Sequence, residues 1–164
     1  MVWEMLDSDI VAVGAQATTM TVSFSGNEKD HLQCFGRFFG SSVADLICEI
    51  TMGGGSGTVH KYRWANNNTA STSSGSNGSI EDQFLDTGGT NVYIFMDMLN
   101  VSDISKLIRT HSINSSTAGA GNTPESTEAV GKFEETGAQI NSITFTSNTN
   151  TFDENSELVV LGTD

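Results

Sequence analysis

The stretch from Gln139 to Gly162 (QINSITFTSNTNTFDENSELVVLG) limits the possible folds more than any other part of the chain. Its apolar residues fall at Ile140, Ile143, Phe145, Phe152, Leu158, Val160 and Leu161, with a polar run of Asn, Thr, Asp and Glu in between. Apolar residues at alternate positions share one face of a pleated strand, whereas a helix needs them at spacings of three and four. The segment predicts two short strands, over 140–146 and 157–161, joined by a polar turn as a hairpin and closing on Gly162.

The same signals recur upstream. Strands are predicted over Met20–Phe24, His31–Phe39, Val43–Met52, Thr58–Trp64, Asn91–Leu99, Ser105–Ser112 and Ala129–Phe133, and no segment sustains a helical period beyond one turn at Asn100–Ser105. Charged residues make up only 16% of the chain, Gly occurs 17 times and Pro once, a balance that suits short strands between turns. At 164 residues the chain is long enough for one domain with its own core. The expected fold is all-β, a jelly-roll-type antiparallel β-sandwich of about eight to ten strands. Residues 1–17 are weakly patterned and read as an extended N-terminal arm or an edge strand over Ile10–Val13; residues 18–164 form the sandwich domain. No internal repeat is visible.

Turn placement sharpens the reading. A hairpin loop at Gly40-Ser41-Ser42 would set Leu32 opposite Ile50, Cys34 opposite Cys48, Gly36 opposite Leu46 and Phe38 opposite Ala44. That face is wholly apolar or Gly, while the other pairs Arg37 with Asp45, Phe35 with Ile47 and Phe39 with Val43. A second turn at Gly53–Gly57 would then place His60, Tyr62 and Trp64 on the same even-numbered core face. Asn66–Ser79 and Asn114–Thr127 lack apolar content and read as long exposed loops.

Few residues suggest chemistry. Cys34 and Cys48, set opposite one another, could bond, since facing Cβ atoms lie ~5 Å apart; reduced, they would serve as small core side chains. Two cysteines without a CxxC cannot build a zinc site. His31, His60 and His111 come without a nucleophile elbow, and His60 reads as a core histidine. The acidic groups Glu125/Glu128, Glu134/Glu135 and Asp153/Glu154/Glu157 lack the ligand spacing of an EF-hand and read as a solvated rim. No catalytic residue, metal or cofactor is expected, and the chain is read as a non-enzyme.

A formal charge of −13, with Lys29, Arg37, Lys61, Arg63, Lys106, Arg109 and Lys132 scattered along the sequence, argues against nucleic acid as a partner. No apolar run approaches the ~20 residues of a membrane helix, and the start lacks the pattern of a secretory signal, so synthesis in a host cytoplasm is expected. The expected contact residues are Trp3, Met5 and Leu6 in the N-terminal arm, together with Phe35 and Phe39 on the face away from the core. As a docking arm, residues 1–17 could be removed with the fold intact and binding lost.

From Asn27 to Gly162 the order and spacing of motifs resemble a jelly-roll module of tailed-bacteriophage structural proteins. The carriers are DHLQCFGRF (Asp30–Phe38), LICEITMGGGSG (Leu46–Gly57), HKYRWANNN (His60–Asn68), then NVYIFMDMLN, KLIRTHS and the C-terminal pair of strands. The resemblance implies a virion structural protein. Such modules serve as capsid decoration (cement) proteins on the outer head surface, bound to the major capsid protein, with a homotrimer as the natural assembly. The alternative is a tail-associated or receptor-binding module whose polar loops contact a host glycan.

Overall fold

Strand-forming patterns such as LQCFGRF and VYIFMDML place a side chain on each face in turn, and only the face with the larger apolar set needs burial. A computed structural model of the chain describes residues 2–40, 48–54, 60–66, 69–71, 91–115, 124–134, 137–148 and 150–164, with side chains at 48–49, 60–66, 69–71, 115 and 125 left out of that description. The strands are β1 (Glu4–Ile10), β2 (Gln16–Ala17), β3 (Thr19–Ser23), β4 (His31–Phe39), β5 (Cys48–Gly53), β6 (His60–Asn66), β7 (Thr69–Ser71), β8 (Asn91–Leu99), β9 (Lys106–Ser115), β10 (Glu125–Phe133), β11 (Ser142–Ser147), β12 (Phe152–Asp153) and β13 (Glu157–Thr163). An eight-stranded sheet runs β1-β13-β4-β8-β9-β10-β6-β7, a three-stranded sheet runs β3-β11-β5, and β12 and β2 make a short ribbon. The fold is the expected all-β sandwich, with its layers unequal in width.

The core lies between the two sheets. Leu32, Cys34 and Phe38 of β4, the even-numbered residues Val92–Met98 of β8, and Leu158 and Val160 of β13 are buried on one side. Met20, Val22, Ile50, Met52, Ile143 and Phe145 are buried on the other. Phe38 ties the layers together: its ring centroid lies 5.1 Å from Phe145 in the small sheet and 5.1 Å from Phe152 in the ribbon. Gly36 makes room for that ring, because a Cβ there would come within 2.5 Å of Phe38 and of Ile94.

The predicted buried face of the early strands is correct, but the predicted partners are not. Leu32, Cys34, Phe38, Ile50 and Met52 all point inward, as read from the pattern. Yet β4 pairs with β8 and β13, and β5 pairs with β11, so among the described residues neither predicted hairpin pairing forms. Leu32 faces Met98 and Gly162 rather than Ile50, and Cys34 faces Met96 and Val160 rather than Cys48. Tyr62 faces Gly131 and Trp64 faces Ala129, both on β10. The C-terminal strands also separate: β11 joins the small sheet while β13 joins the large one. Their connection crosses the sandwich and pairs Phe152 with Ala17 on the way. Burial parity is a local property of a strand, whereas the partner is chosen by packing across the whole molecule.

Smaller differences follow the same logic. Thr69–Ser71, inside the stretch read as a loop, pairs with Trp64–Asn66. β9 and β10 each extend into the second predicted loop, as far as Ser115 and back to Glu125. The residues after β8 form a turn in which Asp103 takes a left-handed φ of 67°, not a helical turn.

The N-terminal segment belongs to the sandwich. Glu4–Ile10 forms an edge strand on β13, ending where the predicted edge strand began. A bulge between Met5 and Asp7 interrupts its register. Leu6 packs against the core, and a Cβ on Gly162 would meet its Cδ1 at 2.7 Å. The Asp7 and Asp9 carboxylates each accept a backbone N–H of β3, from Ser23 and Thr21, both at 2.8 Å. Those bonds close the seam between the large and small sheets and put inward-pointing charges where an open edge would invite aggregation.

Candidate functional site

Where even-numbered side chains of β4, β8 and β13 fill the core, their odd-numbered neighbours stand on the opposite face of the large sheet. Antiparallel register lines these up in rows across the strands. One row runs Ser8, Val159, Phe35, Phe95, His111, Glu128, and the row beside it runs Ile10, Glu157, Arg37, Tyr93, Ile113, Ser126. A third runs Met5, Leu161, Gln33, Asp97, Arg109, Val130.

This face is unusually apolar for one in contact with solvent. Tyr93 is 55% exposed, Phe35 42% and Ile113 43%, and Met5, Ile10, Leu107 and Val130 are more than half exposed. At its centre lies a shallow groove of about 340 Å³ lined by Phe35, Tyr93, Phe95, His111, Ile113 and Val159. The Phe35 and Phe95 rings meet at 5.2 Å and are tilted by 55°, so they form a ridged floor rather than a flat platform.

Polar groups on this face are paired across the strands. Arg37 lies 4.0 Å from Glu157, Arg109 lies 3.5 Å from Asp97, and His111 Nδ1 lies 3.3 Å from Glu128, each pair directly across adjacent strands. Lys132, on the same face, pairs at 3.1 Å with Glu134 just beyond β10. Among the described side chains of this face, the cations are Arg37, Arg109 and Lys132 and the carboxylates are Asp97, Glu128 and Glu157. The formal −13 of the chain is therefore carried by the rest of the molecule. Basic residues scattered in sequence are gathered by register: β6 also sets Lys61 across from Lys132 and Arg63 across from Val130.

The expected contact residues divide. Phe35 stands on the outer face as predicted, and Met5 joins it through the row it shares with Leu161. Phe39 is half-buried, with the Arg37 guanidinium 5.3 Å above its ring. Trp3 is 36% exposed just ahead of β1. Leu6 turns inward and packs, partly buried, against the core. Val43 and Ile47, expected beside Phe39 and Phe35, lie outside the described residues. Tyr93, Leu107, Ile113 and Val130 were not singled out in sequence, because both faces of their strands carry apolar residues.

Nothing else in the described molecule assembles a reactive group. Cys34 is a buried free thiol whose pKa is driven well up by burial, and Cys48 stands on the other sheet across from Ser147. Backbone pairing thus removes the geometry that would have bridged the two cysteines. His31 is exposed on β4, and the side chain of His60 lies outside the described residues. Among the described residues, no group of three or more His, Cys, Asp or Glu side chains is placed to hold a metal. No described helix is long and apolar enough to cross a membrane.

No known family model and no curated protein matches the chain. Among solved structures, the chain is similar to the CBM2 module of the evolved Dit of Lactobacillus casei BL23 phage J-1. The likeness is 9% identical with a TM-score of 0.24 and covers 96% of this chain and 75% of that one. At that TM-score it carries no argument about this chain's fold or role.

Proposed function

We propose that this chain is a non-enzymatic structural protein of a phage virion, a decoration protein that docks on the assembled head through the outer face of its large sheet. The observation that carries the reading is the charge-compensated apolar face built by β13, β4, β8, β9 and β10. A soluble surface gains nothing from displaying Phe35, Tyr93, Leu107, Ile113 and Val130 together, whereas a protein interface gains from burying them. The Arg37–Glu157 and Arg109–Asp97 pairs meet their own charges before docking, so covering them leaves neither partner alone. Binding the assembled lattice in preference to free subunits would stabilise the shell by mass action. The motif order resembling phage structural modules supplies the virion setting.

A glycan partner fits the face less well. Sugar recognition favours a flat aromatic surface surrounded by many polar groups. Here the two central rings are tilted against each other by 55° and give no flat platform. Most of the two polar stretches, Asn66–Ser79 and Asn114–Thr127, lies outside the described residues.

The test is to locate the chain on intact particles by electron cryomicroscopy. Regular density over the head, with the large sheet turned toward the capsid, is expected. Density confined to the tail would replace the decoration role with a tail-associated one.

A further inference from the structure

Two rows of the outer face continue past β10 onto β6. Register extends the row Gln33, Asp97, Arg109, Val130 to Arg63, and the row beside it runs His31, Leu99, Leu107, Lys132, Lys61. Among the described strand positions, five of the chain's 7 Lys and Arg thus share this face: Arg37, Lys61, Arg63, Arg109 and Lys132. Only three of its 20 carboxylates do, Asp97, Glu128 and Glu157. Four of the cations stand at one corner, on β9, β10 and β6. Strands ~4.8 Å apart, with residues rising ~3.4 Å each, place their backbones within about 12 Å of one another.

That corner is poorly arranged for a surface left in solvent. Lys132 and Lys61 are set directly opposite, a like-charge pair that costs a sheet stability instead of adding to it. Arg109 meets Asp97 at 3.5 Å and Lys132 meets Glu134 at 3.1 Å, yet both cations stay open to solvent, with 68% and 43% of their side chains exposed. Val130 and Leu107, each 54% exposed, stand among them.

We infer that the partner docked on this face is a protein surface that sets carboxylates, among apolar side chains, against the β9–β10–β6 corner. The inference rests on the docking role proposed above and names the partner's chemistry at that corner. Covering a cluster of like charges requires counter-charge from the covering surface. A guanidinium has donors to spare for a second carboxylate, so Arg109 can hold Asp97 and a partner group together. Val130 and Leu107 call for apolar atoms between those carboxylates, which a protein surface supplies and a phosphate backbone does not. A long polyanion would also run against the other carboxylates of a chain with a formal charge of −13.

A carbodiimide joins a carboxylate to a lysine amine in contact with it: an amide forms and the reagent takes up the water lost. The experiment applies it to the full chain bound on undecorated heads, assembled from the major capsid protein of the same genome, and reads the joined peptides by mass spectrometry. Lys132 or Lys61 is expected to be joined to an Asp or Glu of the capsid protein. Affinity of Lys132→Gln and of Arg109→Gln should fall about threefold to fivefold each, while Lys132→Arg, which keeps the charge, binds as the unaltered chain does. Tyr93→Arg, an exposed change at the centre of the apolar field, reports on docking by itself. Loss of binding by Tyr93→Arg, with full binding by both Gln variants and no joined capsid carboxylate, would overturn the acidic contact and leave docking intact. Full binding by Tyr93→Arg, or no binding by the unaltered chain, would overturn the docking role and the inference together. Nuclease-sensitive binding would identify a polyphosphate as the occupant, and links from Lys132 to a second copy of the chain would identify that copy; either would overturn the inference.

Discussion

Asn100 closes on the backbone of Ile140 in both directions: its Oδ1 accepts the Ile140 N–H at 2.6 Å and its Nδ2 donates to the Ile140 carbonyl at 3.1 Å. Nδ2 also donates to the carbonyl of Lys29 at 2.9 Å, and the Asn100 backbone N–H reaches Asp30 at 2.7 Å. One fully buried side chain thus fastens three connections: the approach to β4, the exit from β8 and the entry to β11. Asn100→Ala leaves the Ile140 groups and the Lys29 carbonyl without these partners. It is expected to cost about 2–4 kcal/mol in denaturant unfolding at unchanged slope. Asn100→Asp keeps the acceptor but turns a second oxygen toward two carbonyls, and should be at least as damaging.

The seam between the sheets gives a second expectation. Asp7→Ala and Asp9→Ala each free one N–H of β3 at a solvent-exposed position, where water takes the carboxylate's place. Each should cost about 1 kcal/mol, and Asp→Asn at either site less. Removing residues 1–17 takes away β1, the Leu6 and Val11 contacts and both seam bonds. The truncated chain should lose its cooperative unfolding transition by circular dichroism; a native-like melt would show that the edge strand is dispensable.

Cys34 should behave as a core side chain and not as a thiol. Burial disfavours the thiolate and raises its pKa. In a Cys48→Ser background, Ellman's reagent should leave Cys34 untouched in the native protein and titrate it once the chain unfolds. Rapid labelling of the folded protein would contradict the packing of β4 described above.

Lys29 sets an alkaline limit to one contribution. Its ammonium is held above the ordinary value of 10.5 by Glu4 first and Asp164 second. A lysine whose folded pKa is raised stabilises the fold fully below its unfolded pKa, and the gain disappears as pH climbs through the folded value. The stability difference between wild type and Lys29→Met should be level up to about pH 10.5 and shrink beyond it. It should also shrink in high salt, since the partners are exposed. A difference that stays constant through the alkaline range would exclude the ion pairs as its source.

The sequence discloses these features unevenly. Alternation identifies Leu32, Cys34, Phe38, Ile50 and Met52 as inward-facing because the pleat alone determines it. It cannot say that β4 lies beside β8 and β13, since any strand with an apolar even face would satisfy the same pattern. The N-terminal strand is hard to see because the bulge at Leu6 breaks the alternation, letting Leu6 and Asp7 both turn inward. Phe35 is legible as a contact residue, being apolar on the less apolar face of its strand. Tyr93 and Ile113 are not, because β8 is apolar on both faces and β9 mixes apolar and polar residues. The charge pairing on the outer face is invisible in one dimension: Arg37 and Glu157, or Asp97 and Arg109, become partners only through register.

The most direct test of the docking face is a footprint of the chain in place. Hydroxyl-radical labelling of the free protein and of intact particles compares the solvent access of the same side chains in both. The account expects Phe35, Tyr93 and Ile113 to be labelled in the free chain and protected on the particle, while Val13, 81% exposed near the β2 ribbon, stays labelled in both. Full labelling of Tyr93 on the particle would contradict it and move the interface to another surface.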